Sequence, residues 1–252
     1  MRTLEVHYLP QFVSESDLGG GTVVVIDLLR ASTTICHALA AGASQVRAFL
    51  DIAGVLKAAE GEDRESLILG GERGGELIEG FDLGNSPAEY TAAEVFGKQV
   101  FFTTTNGTAA LTHARIANRV VVGAAVNLAS VVDAVAGDEH VHLLCAGTNG
   151  HVTREDQLAA GALATGLMAI AEDRPATNDQ ANAVLGEWQE LLNTARVLGR
   201  LPTDQLAIEL RTTPGGKNLI ALGMDNDLPL CAAIDTLDLV PEYDPRSGII
   251  TA

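Results

Sequence analysis

The chain has 252 residues, 47% of them hydrophobic but only 4% aromatic, and a formal net charge of -17. So acidic a surface repels nucleic acid and anionic membranes, and no basic patch offsets it. No run of 18 apolar residues and no basic-then-apolar leader occurs, so neither a membrane span nor a secretory signal is expected.

The length suits a single α/β domain over 1–252, or two lobes without a clean boundary. It is enough to bury about 70–75% of the unfolded surface. Cys36, Cys145 and Cys231 are odd in number, far apart and set in apolar sequence. That pattern predicts buried thiols in a reducing cytoplasm.

In chain order, LEVHYLP (4–10) reads as a strand, and TVVVID (22–27) as a strand by its β-branched run. ASTTICHALAAGA (31–43) follows as a helix with a glycine near its end. QVRAFL (45–50) is a strand, DIAGVLKAAEGE (51–62) a helix, and ESLILG (65–70) a strand that runs into glycine-rich sequence. Ser86-Pro87-x-Glu89 has the form of a helix start, with Ser at the N-cap, Pro at N1 and Glu at N3. KQVFFTT (98–104), NRVVVGAAV (118–126) and HVHLLCAG (140–147) are strands, alternating with helices over 107–117 and 127–137. Thr153-x-x-Asp156 caps a helix to about Glu172. The segment 179–222 is mostly helical with a break near Leu201-Pro202, and TLDLVPEY (236–243) closes the chain as a strand. Continuous apolar strands alternating with helices predict a largely parallel sheet covered on both faces.

The polar clusters follow the strands. Asp27-Leu-Leu-Arg30, Glu72-Arg73, Thr103 to Thr108, and Gly147 to His151 leading to Glu155 and Asp156 each sit after one. In an open parallel sheet such turns share one edge, where ligands bind, so the four segments can converge on one site. The TTTNGT turn offers backbone N–H groups, a helix dipole and hydroxyls to a phosphate or sulfonate; alternatively Thr105 or Asn106 only caps the helix. Asp27 at a strand end suits a metal ligand, a general base or a phosphoryl-accepting nucleophile, with helix capping as the plain alternative. Arg30 suits an anion held bidentately. Glu155 and Asp156 fit a helix first turn on dipole grounds alone, or a Mg²⁺ site built from a few carboxylates. Asp82 and Asp227 are further metal-ligand candidates. The histidines show no paired metal spacing; His140 and His142 share one strand face and read as structural.

GGERGGELIEGFDLGNSPAEY (70–90) is expensive to order, since glycine loses backbone entropy and charges resist burial. With VVVIDLLRASTTI, TTTNGTAAL and CAGTNGHVTREDQLAAG, in this order and spacing, it resembles the 2-phosphosulfolactate phosphatase family. GGKNLIALGMDNDLPLCAAIDTLDLVP is similar to that family's C-terminal block, and the resemblance spans roughly 4–243. It implies a three-layer α/β/α, Mg²⁺-dependent phosphatase that releases phosphate from 2-phospho-3-sulfolactate, a step towards coenzyme M, or from related 2-hydroxy acid phosphates. The family motifs fall on Asp27 and Arg30, on Glu72, Arg73, Asp82, Asn85 and Ser86, on Thr104, Thr105, Asn106, Gly107 and Thr108, on Glu155 and Asp156, and on Asp227.

On that basis Mg²⁺ is expected among Asp27, Glu72, Asp82, Glu155, Asp156 and Asp227. Asp27 and Arg30 are expected to act on the phosphate, and Arg73, Asn85, Ser86 and the TTTNGT turn to bind the substrate. The glycines would let the backbone crowd a small anion, with ordering offset by metal and ligand. A variant makes Asp27 the nucleophile, as in haloacid-dehalogenase-like phosphatases, although Leu29 stands where their DxDx[TV] motif has its second Asp. The rival class is a non-catalytic binding protein for a phosphorylated or sulfonated acid, which would gain nothing from the surplus carboxylates. Alanine-rich helices such as 155–171 could pack within the chain or against a second copy in a homodimer.

Overall fold

Thr22–Ile26 is buried along its whole length, and its side chains divide between two cores: Val23 and Val25 face one, Val24 and Ile26 the other. A strand buried on both faces needs helices on both sides. The computed structural model, which describes residues 1–252, has that arrangement: a three-layer α/β/α fold around one eleven-stranded sheet.

The strands are β1 (Thr3–His7), β2 (Thr22–Ile26), β3 (Gln45–Ala48), β4 (Leu67–Arg73), β5 (Glu76–Leu77) and β6 (Gln99–Thr103), then β7 (Arg119–Val122), β8 (His140–Cys145), β9 (Ala176–Thr177), β10 (Glu242–Asp244) and β11 (Ile249–Thr251). Their order is β5-β4-β6-β3-β11-β10-β7-β2-β8-β1-β9. Strands β4, β6 and β3 are mutually parallel, as are β7, β2, β8, β1 and β9. The two sets are joined by the antiparallel β10–β11 hairpin, which pairs antiparallel with β7 on one side and with β3 on the other.

Three antiparallel pairings in succession make the two parallel halves run in opposite directions. Their carboxyl ends would then lie on opposite edges of a flat sheet. Sheets twist by roughly 20–25° per strand, so the six steps from β4 to β2 accumulate about 120–150° and undo most of the reversal. Both sets of carboxyl ends therefore point to the same region. One core runs across both halves, taking Val23 and Val25 from β2, Val120 and Val122 from β7, Val46 from β3, Ile68 from β4 and Phe102 from β6. The helices Ala31–Ala40 and Gly107–His113 fill its interior. The second core lies under Leu128–Val135, Arg154–Ile170 and Asp179–Val197, and a small third core packs Val55 against Leu67, Leu69 and Phe101.

Several elements differ from the sequence reading. The 65–70 strand continues to Arg73 and turns back through Gly74 and Gly75 into β5. Both turn glycines have positive φ, 65° and 93°, the conformation a two-residue hairpin demands. The first eight residues of the glycine-rich stretch, 70–77, are thus strand and hairpin. Ser86 starts only a single 3₁₀ turn, Pro87–Glu89, because its hydroxyl is drawn away to Asp227 instead of capping. The predicted strand 236–243 pairs only from Glu242, and β11 was not foreseen. All three cysteines are buried and unpaired, and no helix is long and apolar enough to cross a membrane. The alanine-rich Arg154–Ile170 helix packs within the chain, against Asp179–Val197.

Those two helices approach most closely at Gly161, where an added Cβ would lie 2.5 Å from the Val184 carbonyl oxygen and 3.0 Å from the Trp188 Cβ. Alanine would gain about 1 kcal/mol in helix propensity, but the obstacle is backbone and overpacking costs about 1–3 kcal/mol. Gly161→Ala is expected to lower the urea midpoint, and an unchanged or higher midpoint would show that the helix pair is not closely packed there.

Candidate active site

The segments after β2, β4, β6 and β8 are held together by side chains that satisfy one another's backbone. Asp27 ends β2; its backbone N–H donates to Ser32 Oγ at 2.9 Å, and its Oδ1 accepts from the Ala31 N–H at 3.3 Å. Asp156 accepts from the Leu28 N–H at 2.8 Å, the Gly147 N–H at 2.9 Å and the Thr153 hydroxyl at 3.0 Å, which ties the end of β2 to the end of β8. Glu72 does the same for the other half. It accepts from the Gly75 N–H at 2.7 Å, closing its own hairpin, and from the Thr105 N–H at 2.8 Å, holding the turn after β6. Asn106 then bridges the halves, its Oδ1 accepting from the Asn149 N–H at 2.9 Å.

Arg30 is the cation of this region and is almost fully buried. Its Nη1 donates to Asp227 Oδ2 at 2.6 Å and to the Met224 sulfur at 3.0 Å, and its Nη2 donates to the Gly75 carbonyl at 3.0 Å. Ser86 donates to the other Asp227 oxygen at 2.6 Å. A guanidinium has five N–H donors, so Nε and one Nη2 hydrogen stay free for a ligand.

These segments enclose a cavity of about 280 Å³. Asp27, Arg30, Glu72 and Asn85 line it from within, Thr105 and Asn106 from the β6 turn, and Thr148 and Asn149 from the β8 turn. The Pro214–Ala221 helix contributes Pro214, Gly215 and Asn218; its start is fixed by Thr213, whose hydroxyl oxygen accepts from the Gly216 N–H at 3.1 Å. Glu155 lies directly behind this wall, and a Cβ on Gly215 would come within 2.2 Å of its Oε1.

Five buried carboxylates, Asp27, Glu72, Glu155, Asp156 and Asp227, thus surround one buried guanidinium. Burial, then the charges of Asp156, Glu72 and Glu155, pushes Asp27 well above the usual carboxylate range. Burial, then Glu155, pushes Asp156 up to about 7, and burial raises Glu155 itself. Like charges out of water need protons or a cation. Two buried oxygens here lack any hydrogen-bond partner, Asn85 Oδ1 and Glu155 Oε2. Unmatched hard oxygens among excess carboxylates are the donor set that a Mg²⁺ ion takes, so the residues present fit such an ion.

The structure sets several of the expected site residues away from the open space. Asp82 lies outside the cavity, exposed; it accepts from Arg64 at 2.6 Å and from the Leu69 N–H at 2.7 Å, bracing its own loop. Arg73 turns away to the Glu72 carbonyl and the Thr103 hydroxyl, at 2.6 and 2.8 Å, and does not face a ligand. Asp156 and Asp227 have both oxygens engaged by the chain, so they position Leu28, Gly147 and Arg30. Of the TTTNGT hydroxyls, Thr104 and Thr108 bond each other's backbone and are buried, while Thr105 and Asn106 reach the cavity. Gly107 packs under the floor, where a Cβ would meet Asp27 Oδ2 at 2.9 Å. Thr148 and Asn149 reach the cavity from the expected Gly147–His151 turn, whereas Gly215 and Asn218 carry no site expectation from the sequence. The Thr213-Pro214 helix start was the available signal for the last two, since it opens a helix with Gly215 in its first turn.

The family model described as 2-phosphosulpholactate phosphatase matches residues 7–246. The chain belongs to the 2-phosphosulfolactate phosphatase family. A relative from Parasynechococcus marenigrum (strain WH8102), named as a probable 2-phosphosulfolactate phosphatase, is 39% identical over 240 residues, 94% of each chain. Relatives with the same name from Symbiobacterium thermophilum and Gloeobacter violaceus are 39% and 35% identical, over 90% and 98% of this chain and 93% and 98% of theirs. The stretch shared with the 2-phosphosulfolactate phosphatase family contains every segment that reaches the cavity.

Removing one partner of a buried ion pair strands the other, at a cost of about 3–5 kcal/mol. Asp227→Ala is expected to destabilise the protein by that order in urea denaturation, and Asp227→Asn, which keeps one acceptor oxygen for Arg30 and offers its NH₂ to the Ser86 oxygen, by less. Equal losses in the two variants would mean that the negative charge of Asp227, which both variants lack, holds Arg30, and that the shape and acceptor kept by Asn contribute little.

Proposed function

We propose that the chain is a Mg²⁺-dependent phosphatase that hydrolyses 2-phospho-3-sulfolactate, or a closely related 2-hydroxy acid phosphate, to the hydroxy acid and phosphate. The observation that carries this reading is the pair of unpartnered buried oxygens, Asn85 Oδ1 and Glu155 Oε2, beside the raised Asp27 carboxyl and the free N–H groups of Arg30. The relatives' shared name supplies the substrate class.

In this reading Asp27, Glu155 and Asn85 would hold the ion, while Glu72, whose two oxygens accept from the Gly75 and Thr105 N–H groups, fixes the turns that line the cavity. Bound there, Mg²⁺ would supply Lewis-acid charge to the phosphoryl group. Arg30 offers its free Nε and Nη2 hydrogens to the phosphoryl group, as a fork already aimed by Asp227, so no reorganisation is needed when charge moves to the leaving oxygen. Asp27, which lines the cavity, takes the proton of the attacking water. Thr105, Asn106, Thr148, Asn149 and Asn218 surround the remainder of the ligand with neutral donors. They bind carboxylate and sulfonate oxygens without adding charge to an already acidic site.

The three buried free thiols support a reducing, cytoplasmic setting. The product 3-sulfolactate would then serve the route towards coenzyme M that the sequence resemblance implies.

The decisive assay is phosphate release from 2-phospho-3-sulfolactate, with phosphoglycolate and phospholactate beside it, each in Mg²⁺ and in EDTA. Release that requires Mg²⁺ and is fastest with the sulfonate supports the proposal. Folded protein that binds these acids without releasing phosphate would make it a binding protein instead. Asp27→Asn should lower turnover by about 10²-fold or more, the usual worth of a positioned base. Asp82→Asn should leave turnover and Mg²⁺ dependence unchanged, because its carboxylate braces a loop outside the cavity.

A further inference from the structure

Strands β1 and β8 are parallel neighbours with Glu5 opposite His142 and His7 opposite Leu144. The two-residue period puts Glu5 and His7 on one face of β1, the face that also carries His142 of β8. Three ligand atoms meet there. His7 Nε2 lies 3.1 Å from His142 Nδ1, His142 Nδ1 lies 3.4 Å from Glu5 Oε2, and His7 Nε2 lies 3.9 Å from the same oxygen. Both imidazoles are buried, while the Glu5 carboxylate is 39% exposed.

We propose that Glu5, His7 and His142 form a binding site for a divalent transition ion of the Zn²⁺ type, separate from the carboxylate cavity. With ligands about 2.0–2.1 Å from a tetrahedral ion, neighbouring ligand atoms stand about 3.3 Å apart. The three observed separations already outline such a face. Two imidazoles and one carboxylate favour Zn²⁺, Co²⁺ or Ni²⁺ over Mg²⁺, which prefers an all-oxygen set. The half-open Glu5 side provides an entry path and leaves the fourth position to water.

A hydrogen bond between the imidazoles explains one contact but not the trio. If His7 donates to His142 Nδ1, that nitrogen's lone pair is used, and the Glu5 oxygen faces an acceptor. If His142 donates to His7, its single Nδ1 hydrogen cannot also serve Glu5. One proton is shared among three electron-rich atoms, whereas a cation would satisfy all three. The rings are also held in place: their centres stand 5.3 Å apart with 25° between their planes, and the Cδ2–Nε2 edge of His142 faces Gly21, where a Cβ would stand 2.9 Å from its Nε2. His140, next along the same face, is taken by the Thr3 hydroxyl at 2.9 Å and stays outside the trio.

The test is titration of the EDTA-stripped, full-length protein with Co²⁺ in excess Mg²⁺, read by visible absorption and then by displacement with Zn²⁺. The expected result is one Co²⁺ per chain with the intense bands of a low-coordinate ion. Uptake should weaken by about tenfold or more in Glu5→Gln and in His142→Gln, and persist in Asp27→Asn. Glu5→Gln alters a partly exposed side chain and so keeps the fold; Zn²⁺ should raise the melting temperature of the parent protein but not of this variant. No uptake by the parent, or uptake unchanged in Glu5→Gln and His142→Gln, overturns the assignment and leaves a hydrogen-bonded imidazole pair.

Discussion

The mutual repulsion of Asp27, Glu72, Glu155 and Asp156, gathered around the buried Arg30–Asp227 pair, is the constraint on which the rest of the structure depends. Charges in a low-dielectric interior cost far more than a domain's whole stability margin unless each is answered. Most are answered by backbone. Asp156 and Glu72 together bond four N–H groups, drawn from all four segments that build the cavity. The same carboxylates that make the region costly therefore fix its loops. What stays unanswered, Asn85 Oδ1 and Glu155 Oε2, is what a ligand-bearing cation would engage.

The sheet makes this gathering possible by an indirect route. An unbroken parallel sheet would carry all the chemistry along one edge with no reversal. Here the C-terminal hairpin is spliced into the centre of the sheet and inverts one half relative to the other. Accumulated twist then swings the inverted half back, and the shared core under Ala31–Ala40 and Gly107–His113 holds the curl closed. Residues 242–251 thus stand far in sequence from the site and yet decide whether its two halves face each other.

Division of labour among the carboxylates follows from burial and partners rather than from residue type. Asp82 and Asp227 look alike in sequence, each an acidic residue near glycine or asparagine. One is exposed and paired with Arg64; the other is buried and aims the only guanidinium of the cavity. Asp27 and Asp156 are both buried strand-end or helix-start acids, but only Asp27 lines the open space, while Asp156 is enclosed by two N–H groups and a hydroxyl.

Local chemistry was legible in the sequence by itself. The β-branched run at 22–26, the alternation of apolar strands with helices, and the polar turns after β2, β4, β6 and β8 follow from side-chain period and backbone preference, which act over a few residues. Family membership was legible too, because its motifs are contiguous strings. What only the tertiary structure decided depends on contacts between distant residues. It inserted a hairpin whose three-residue strands carry little periodic signal, and it drew Ser86 from a helix cap to Asp227, 141 positions away. It turned Arg73 to the Thr103 hydroxyl at the end of β6, excluded Asp82, and brought Gly215 and Asn218 to the cavity. A side chain's partner is set by which backbone N–H or opposite charge the completed fold leaves within about 3 Å, and no local pattern encodes that distance.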